Sequence, residues 1–179
     1  SPFHAGERHV QRHLGVEAIE QWARKAIRPF MPEQHRAFHT SQPFLIAAAR
    51  DAQGRPWATV LEGQDGFITS PDRRTLAIGA RPPSGDALEH ALLPGVDIGL
   101  LGIELATRRR NRVNGRIAPS GSGALLFRVD QSFGNCPQYI TPRRWRRENE
   151  PLRATPRAGK QLSAEQIDWI NSADTFFIA

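Results

Sequence analysis

Apolar and polar positions change their spacing along this chain of 179 residues, and the changes separate helical from extended segments. Between residues 6 and 29, apolar side chains recur every three or four positions with charges between them. This spacing predicts one amphipathic helix that lies against the core. Pro32 suits the first position of a second helix, predicted over residues 32–40. Short apolar or alternating segments then follow as far as residue 140, separated by turn residues.

Six or seven of these short segments have the length and pattern of β-strands. The first two, residues 44–49 and 55–62, flank an Asp-Ala-Gln-Gly turn and predict a hairpin. Residues 86–93 suit either a short helix or an irregular crossing. Short connections favour antiparallel pairing, so the pattern predicts a mainly β fold with flanking helices, as a small barrel or sandwich. The remaining strands are expected to begin near Gly66, Thr75, Ile98, Arg116 and Ala124, with a turn at Ser70-Pro71-Asp72.

Residues 99–117, with the sequence GLLGIELATRRRNRVNGRI, join an apolar run to a cluster of arginines. Asn114-Gly115 is a strong tight-turn pair and predicts that the strand reverses there. The tip of such a hairpin would carry several guanidinium groups, which suits an anion-binding site. The alternative is a solvated basic edge that discourages pairing with other sheets.

The positive charge of the chain is carried almost entirely by arginine and is concentrated in two places. Lys and Arg number 24 against 18 acidic residues, and only Lys25 and Lys160 are lysines. Apart from the cluster after residue 107, the excess lies in residues 141–160, which hold seven basic and two acidic residues. A charged, Pro-rich stretch of this kind is typical of a solvated linker, so nucleic-acid binding is the less favoured interpretation.

The cysteine and histidine positions favour no metal site and no nucleophile. Cys136 is the only cysteine, which excludes an intrachain disulfide and fits a cytoplasmic protein. We interpret it as a lining or buried thiol. His9/His13 and His35/His39 are spaced one helical turn apart but lack a third ligand, so solvated histidines are favoured over a metal site. No apolar run approaches the ~18 residues of a membrane span.

The end of the chain repeats an earlier pattern. Residues 164–179 align without gaps on residues 32–47, with five of sixteen positions identical. Ser163 is a good N-cap, so a helix followed by a strand is predicted there, as a second, truncated repeat. We therefore expect a fragment of a longer chain, or a last strand that pairs elsewhere. The predicted organisation is a helical segment packed on the barrel (1–42), the barrel (43–141), an Arg/Pro-rich linker (142–162) and the repeat (163–179).

Several motifs of the chain resemble those of the pyridoxamine 5′-phosphate oxidase-like, flavin-binding split β-barrels. These are a helix leading into an Asp-x-x-Gly-Arg-Pro hairpin, a Thr-Ser-Pro step and a basic Arg-x-x-Arg-x-x-Gly segment. SPFHAGE at the start and QSFGNCPQYI near residue 140 resemble the large pyridoxamine-oxidase-related branch. The resemblance covers roughly residues 1–140 and implies a six- to seven-stranded antiparallel split β-barrel.

The resemblance implies a homodimer that holds FMN, or less often FAD or a deazaflavin, between its subunits. It places residues 55–59 beside the flavin ring, Thr69 and Ser70 near the phosphate, and residues 109–115 in a flavin-contacting hairpin. Arginine forks, hydroxyls and amides are the groups that a flavin phosphate, ribityl chain and ring edge require. The alternative for Trp57 is a core aromatic. The candidate cofactor residues are Arg55, Trp57, Ala58, Thr59, Thr69, Ser70, Arg109, Arg110, Asn111, Arg112, Gln131 and Asn135.

The resulting hypothesis is an FMN-dependent oxidoreductase of unknown substrate, with a reductase partner or fused domain in a longer parent chain as a further expectation. Glu62 stands where true pyridoxamine phosphate oxidases have a basic residue, so the resemblance does not extend to vitamin B6 as substrate. No acid or base is identified. The alternatives are a non-catalytic flavin-binding or dimerisation module and, less favoured, a nucleic-acid-binding barrel.

Overall fold

The computed structural model describes residues 1–121, 123–147 and 159–179. Seven strands form one antiparallel sheet in the order β2-β1-β5-β6-β7-β4-β3, so β2 and β3 are its edges. The helices are α1 (Ala5–His13), α2 (Ile19–Ala26), α3 (Glu33–Thr40) and α4 (Ala164–Ser172). The strands are β1 (Phe44–Arg50), β2 (Pro56–Glu62), β3 (Ile68–Asp72), β4 (Thr75–Ile78), β5 (Asp97–Glu104), β6 (Arg109–Ala118) and β7 (Leu125–Gly134).

One face of this sheet carries the hydrophobic core. Fully buried leucine, valine and phenylalanine side chains from six strands meet there, and Met31 and Leu88 fill the core from connecting segments. Leu88 belongs to residues 86–93, which form the irregular crossing rather than a helix. The predicted mainly β fold with flanking helices is confirmed, and the seven-stranded antiparallel sheet is consistent with a split barrel.

The N-terminal helical region differs from the prediction. It forms two helices rather than one, because Gly15 takes a left-handed backbone conformation with φ +67° directly after α1. Only Ala23 of these helices is buried, whereas Leu14 and Trp22 are about two-thirds exposed. The expectation of an amphipathic helix packed on the core is therefore wrong for most of this segment. The next helix, α3, contacts β3 and β6.

The reversal predicted at Asn114-Gly115 is also wrong. The chain reverses at residues 105–108, and β6 then runs straight through Asn114 and Gly115. A β-bulge lies between these two residues, where the pairing with β7 shifts register. Gly115 is required there because a Cβ would lie 1.8 Å from the carbonyl oxygen of Arg128. The Asn-Gly pair thus marks a close approach of two strands and not a turn.

Two smaller expectations also change. Ser70-Pro71-Asp72 belongs to β3, and the turn into β4 falls at Arg73-Arg74. In the C-terminal segment, α4 forms as predicted, with Ser163 and Gln166 in a reciprocal capping box. Residues 173–179 form no strand, so the strand of the predicted repeat is not observed.

All seven strands fall within the predicted barrel boundaries of 43–141. The segment after β7 is hydrogen-bonded to loops at the ends of the sheet strands. Arg143 donates its backbone N–H to the carbonyl of Leu105, and the Arg147 side chain donates to the Gly63 carbonyl. Residues 148–158 of the predicted linker lie outside the described residues.

Candidate functional site

A small cavity of about 220 Å³ opens where β6 begins, and we call it the basic cavity. The turn that ends at Arg108 brings three consecutive arginines to its wall. Arg108 itself adopts φ +61°, a conformation that few residues with a side chain take. Helix α3 and the segment after β7 form the other walls. The lining residues are Gln34, His35, Arg108, Arg109, Arg110, Asn111, Gly134, Asn135 and Pro137.

The three arginines hold their charge without a carboxylate partner. The Arg110 Nε donates to the carbonyl oxygen of Cys136 at 2.9 Å, and the Arg109 guanidinium lies 4.9 Å from the centre of the Phe38 ring. Arg108, Arg109 and Arg110 form no ion pair with any residue among those described. Positive charge that no described carboxylate pairs with gives the cavity the electrostatics of an anion site.

Two asparagines on the cavity wall have carboxamide groups without partners. Asn111 is only 8 % exposed, and its side chain makes no hydrogen bond within the described part of the chain. The Oδ1 atom of Asn135 is buried and likewise unpaired. Buried polar groups normally find a partner, and an unpaired one costs about 1–3 kcal/mol. The Asn111 amide is available to a ligand in the cavity, whereas the unpaired Asn135 Oδ1 is an acceptor that is closed to solvent.

His35 lines the cavity from α3, and a contact with β7 holds its ring in place. Its Nδ1 lies 2.8 Å from the Oγ of Ser132, a residue of β7 that is fully buried. Burial lowers the pKa of His35, and the charges of Arg28 and Arg109 lower it further. Both effects favour the neutral ring, which is anchored through one nitrogen.

A second and larger recess lies on β1, β5, β6 and β7, and we call it the sheet groove. Its volume is about 1220 Å³. The floor is made of small residues, including Ala48, Gly99 and Gly115, which leave room for a flat ligand. The Asn114 Nδ2 donates to the Gln131 Oε1 at 3.1 Å at one side of the groove. The rim is formed by residues 50–52 and by Asp97, Asp130 and Ala179.

The candidate residues on the first hairpin form a cluster of their own around Asp51. The Arg55 Nε and the Trp57 Nε1 both donate to the Asp51 Oδ2, at 2.7 and 2.9 Å. Partial burial raises the pKa of Asp51, but these bonds and the backbone N–H of Arg55 outweigh it and lower that pKa to about 2. Trp57 is 41 % exposed, so the core alternative for it is wrong. Arg55 and Trp57 line neither recess.

The remaining candidate residues lie apart from one another. Thr59 is buried and donates its hydroxyl to Asp86 at 2.6 Å. The Ser70 hydroxyl accepts from the Arg36 Nε at 3.0 Å. Ala58 and Thr69 lie on edge strands, and Arg112 is exposed on β6. Five of the twelve predicted residues line a recess. The basic cavity is lined by Arg109, Arg110, Asn111 and Asn135, and the sheet groove by Gln131.

Sequence reasoning missed several lining residues. Arg108 belongs to the basic run but is not among the twelve predicted cofactor residues. The sequence indicates His35 only through its spacing from His39, and the solvated state expected for the pair is wrong for His39, which is fully buried one turn later on α3. Among the residues that the structure describes, no group of three or more His, Cys, Asp or Glu side chains is placed to hold a metal ion. The small residues of the groove floor give no sequence signal apart from the glycines.

Comparison with known proteins returned few similarities. No family model matches the chain, and no curated protein matches it. Two crystal structures of HupZ from Group A Streptococcus, one of them a histidine-to-alanine variant, share 14 % identity and a TM-score of 0.45 with it. The match with the variant covers 59 % of this chain and 99 % of the variant chain, and the match with the other structure covers 58 % and 93 %.

The helices of the described residues are also too short or too polar to cross a membrane.

Proposed function

We propose that this protein is a cofactor-binding barrel that takes FMN, with the terminal phosphate of the cofactor in the basic cavity. The observation that carries the proposal is three arginines that have no carboxylate partner within residues 1–121, 123–147 and 159–179, beside the Asn111 amide, which has no hydrogen-bond partner in the same residues. A phosphate dianion satisfies both the charge and the donors. The arginine-lined cavity of about 220 Å³ suits the phosphate group, and we place the ring outside it.

The sheet groove is the proposed place for the flavin ring. On β6, Asn111 lines the cavity and Asn114 lines the groove, three positions apart, with their side chains on opposite faces of the strand. The Ala and Gly floor accepts a flat ring. The Asn114 Nδ2 donates to Gln131 and the Gln131 Nε2 donates to the Pro2 carbonyl, and the second N–H of each amide is suited to the polar edge of the ring.

When bound, the flavin supplies hydride and electron transfer, and the residues of this chain bind and orient it. Two carboxylates on the groove rim form ion pairs with Arg116: the Asp97 Oδ1 lies 3.0 Å from its Nε, and the Asp130 Oδ2 lies 3.7 Å from its Nη2. We therefore assign no acid or base, and an oxidoreductase of unknown substrate is the proposed activity. A non-catalytic flavin-binding module uses the same site, and reduction of the bound flavin by NADH or NADPH, with or without a partner reductase, separates the two.

The proposal is tested on the purified chain. We expect a yellow protein with flavin absorbance, or a colourless one that becomes yellow with FMN, and mass spectrometry of the released cofactor distinguishes FMN from FAD and deazaflavin. Arg109→Ala is expected to weaken FMN binding about tenfold or more because it removes one charge-assisted contact.

The matched control is Arg74→Ala, which removes an exposed arginine in the β3–β4 turn, outside both recesses. It is expected to bind FMN as the unaltered chain does. A chain that stays colourless with every flavin, or an equal loss in both variants, contradicts the proposal.

A further inference from the structure

The basic cavity contains one group whose charge changes near neutral pH, and that group is His35. The arginines around it stay charged throughout this range, and the amides of Gln34, Asn111 and Asn135 do not titrate. The charged groups that face His35 are Arg108, Arg109 and Arg110 across the cavity and Arg28 from the segment after α2. His39 follows one turn later on its own helix.

We propose that His35 is an anion-binding residue of the basic cavity and that an oxyanion bound there brings a proton from solvent onto its imidazole. The Nδ1 atom is occupied by the Ser132 hydroxyl, so the Nε2 atom is the nitrogen left for a ligand. This inference names a binding residue of the site in the proposed function and rests on that cavity being an anion site.

The contact with Ser132 allows the ring to change its protonation state in place. A serine hydroxyl both donates and accepts, so it accepts from a protonated Nδ1 and donates to an unprotonated one. Ser132 is fully buried on β7, and its backbone pairs with that of Arg28 in both directions. The hydroxyl is therefore held in position while the ring gains or loses its proton.

The surrounding charges explain why the proton arrives with the ligand. Without an anion, burial and the arginines keep the pKa of His35 below its usual value. An oxyanion neutralises the arginine charge and accepts a hydrogen bond from Nε2, and both effects favour the imidazolium form. Affinity for an anion must then rise as the pH falls, because binding and protonation are linked.

Sulfate is the appropriate probe because it stays a dianion throughout the range tested, so any pH dependence of its binding comes from the protein. We expect the unaltered chain to bind sulfate about fivefold more tightly at pH 6.0 than at pH 8.0. Calorimetry at pH 6.5 in two buffers of different ionisation enthalpy is expected to detect net proton uptake. His35→Gln is expected to bind sulfate with neither the pH dependence nor the uptake.

His90→Gln, which removes an exposed histidine outside both recesses, is the matched control and is expected to keep both effects. Equal sulfate affinity at the two pH values, or a pH dependence that persists in His35→Gln, overturns the inference, as does an absence of sulfate binding. Failure of the proposed function is distinguishable from failure of this inference. A chain that binds sulfate with proton uptake but binds no flavin supports the inference and contradicts the flavin proposal.

Discussion

At the scale of single residues, polar groups buried without a partner set the most specific constraints. His39 is 0 % exposed, and neither of its ring nitrogens has a hydrogen-bond partner within the described residues. It lies against Gly102, where a Cβ would stand 3.1 Å from its Nδ1. The absence of a side chain at Gly102 is what lets the Phe38 and His39 rings of α3 pack against β5.

The burial of His39 predicts a loss of stability in acid. Burial lowers its pKa to about 3, with a smaller contribution from His35, whereas an unfolded histidine has a pKa near 6.5. Between these values the unfolded chain binds more protons, so the free energy of unfolding falls as the pH drops below 6.5. For this residue the loss is about 2–3 kcal/mol at pH 4.5.

Urea unfolding of the unaltered chain and of His39→Leu at pH 7.5 and 4.5 measures this contribution. The variant is expected to lose less stability between the two pH values, and the control His90→Gln to lose as much as the unaltered chain. The same acid loss in His39→Leu and in the unaltered chain contradicts this account of the buried ring.

At the scale of elements, β6 links the two recesses, and its bulge decides how β7 pairs with it. The basic cavity lies at its first residues and the sheet groove at Asn114 and Gly115. The bulge lets the backbone of Arg128 approach Gly115 more closely than any side chain would permit. The shape of the groove therefore depends on one glycine.

Gly115→Ala is expected to lower the free energy of unfolding by about 3 kcal/mol, because the new methyl group overlaps the Arg128 carbonyl and also lies 3.0 Å from the Phe127 ring. Gly121→Ala is the control, since a Cβ there meets nothing within 4 Å, and about 0.5 kcal/mol or less is expected. Chemical denaturation measures both. Equal stability of the two variants shows that the strands are not in this close contact.

These elements also explain which parts of the fold could be predicted. The β1–β2 hairpin was predictable because its turn residues lie between a short apolar run and a second strand-like segment. The turn predicted at Asn114-Gly115 is wrong because the pair suits a tight turn locally, whereas the requirement for glycine comes from Arg128 on the neighbouring strand β7. The actual reversal at residues 105–108 contains neither glycine nor proline, so local preference could not identify it.

At the scale of the whole molecule, the sheet brings together residues that are far apart in the chain. The basic cavity combines α3, the start of β6 and the segment after β7, which are separated by up to about a hundred positions. The basic run was visible in the sequence, but the contribution of α3 was not, because nothing in residues 33–40 indicates what they face. Arg55 and Trp57 were selected by resemblance, and they bind Asp51 instead.

The central claim is that the basic cavity binds the phosphate of a flavin, and the affinity of the purified chain for FMN relative to riboflavin tests it most directly. The two ligands share their ring and ribityl chain and differ only in the phosphate. Fluorescence titration at low ionic strength is expected to give tighter binding of FMN by about a hundredfold, from two or more charge-assisted contacts of about 1.5 kcal/mol each. Equal affinities for FMN and riboflavin, or binding of neither, would contradict the account.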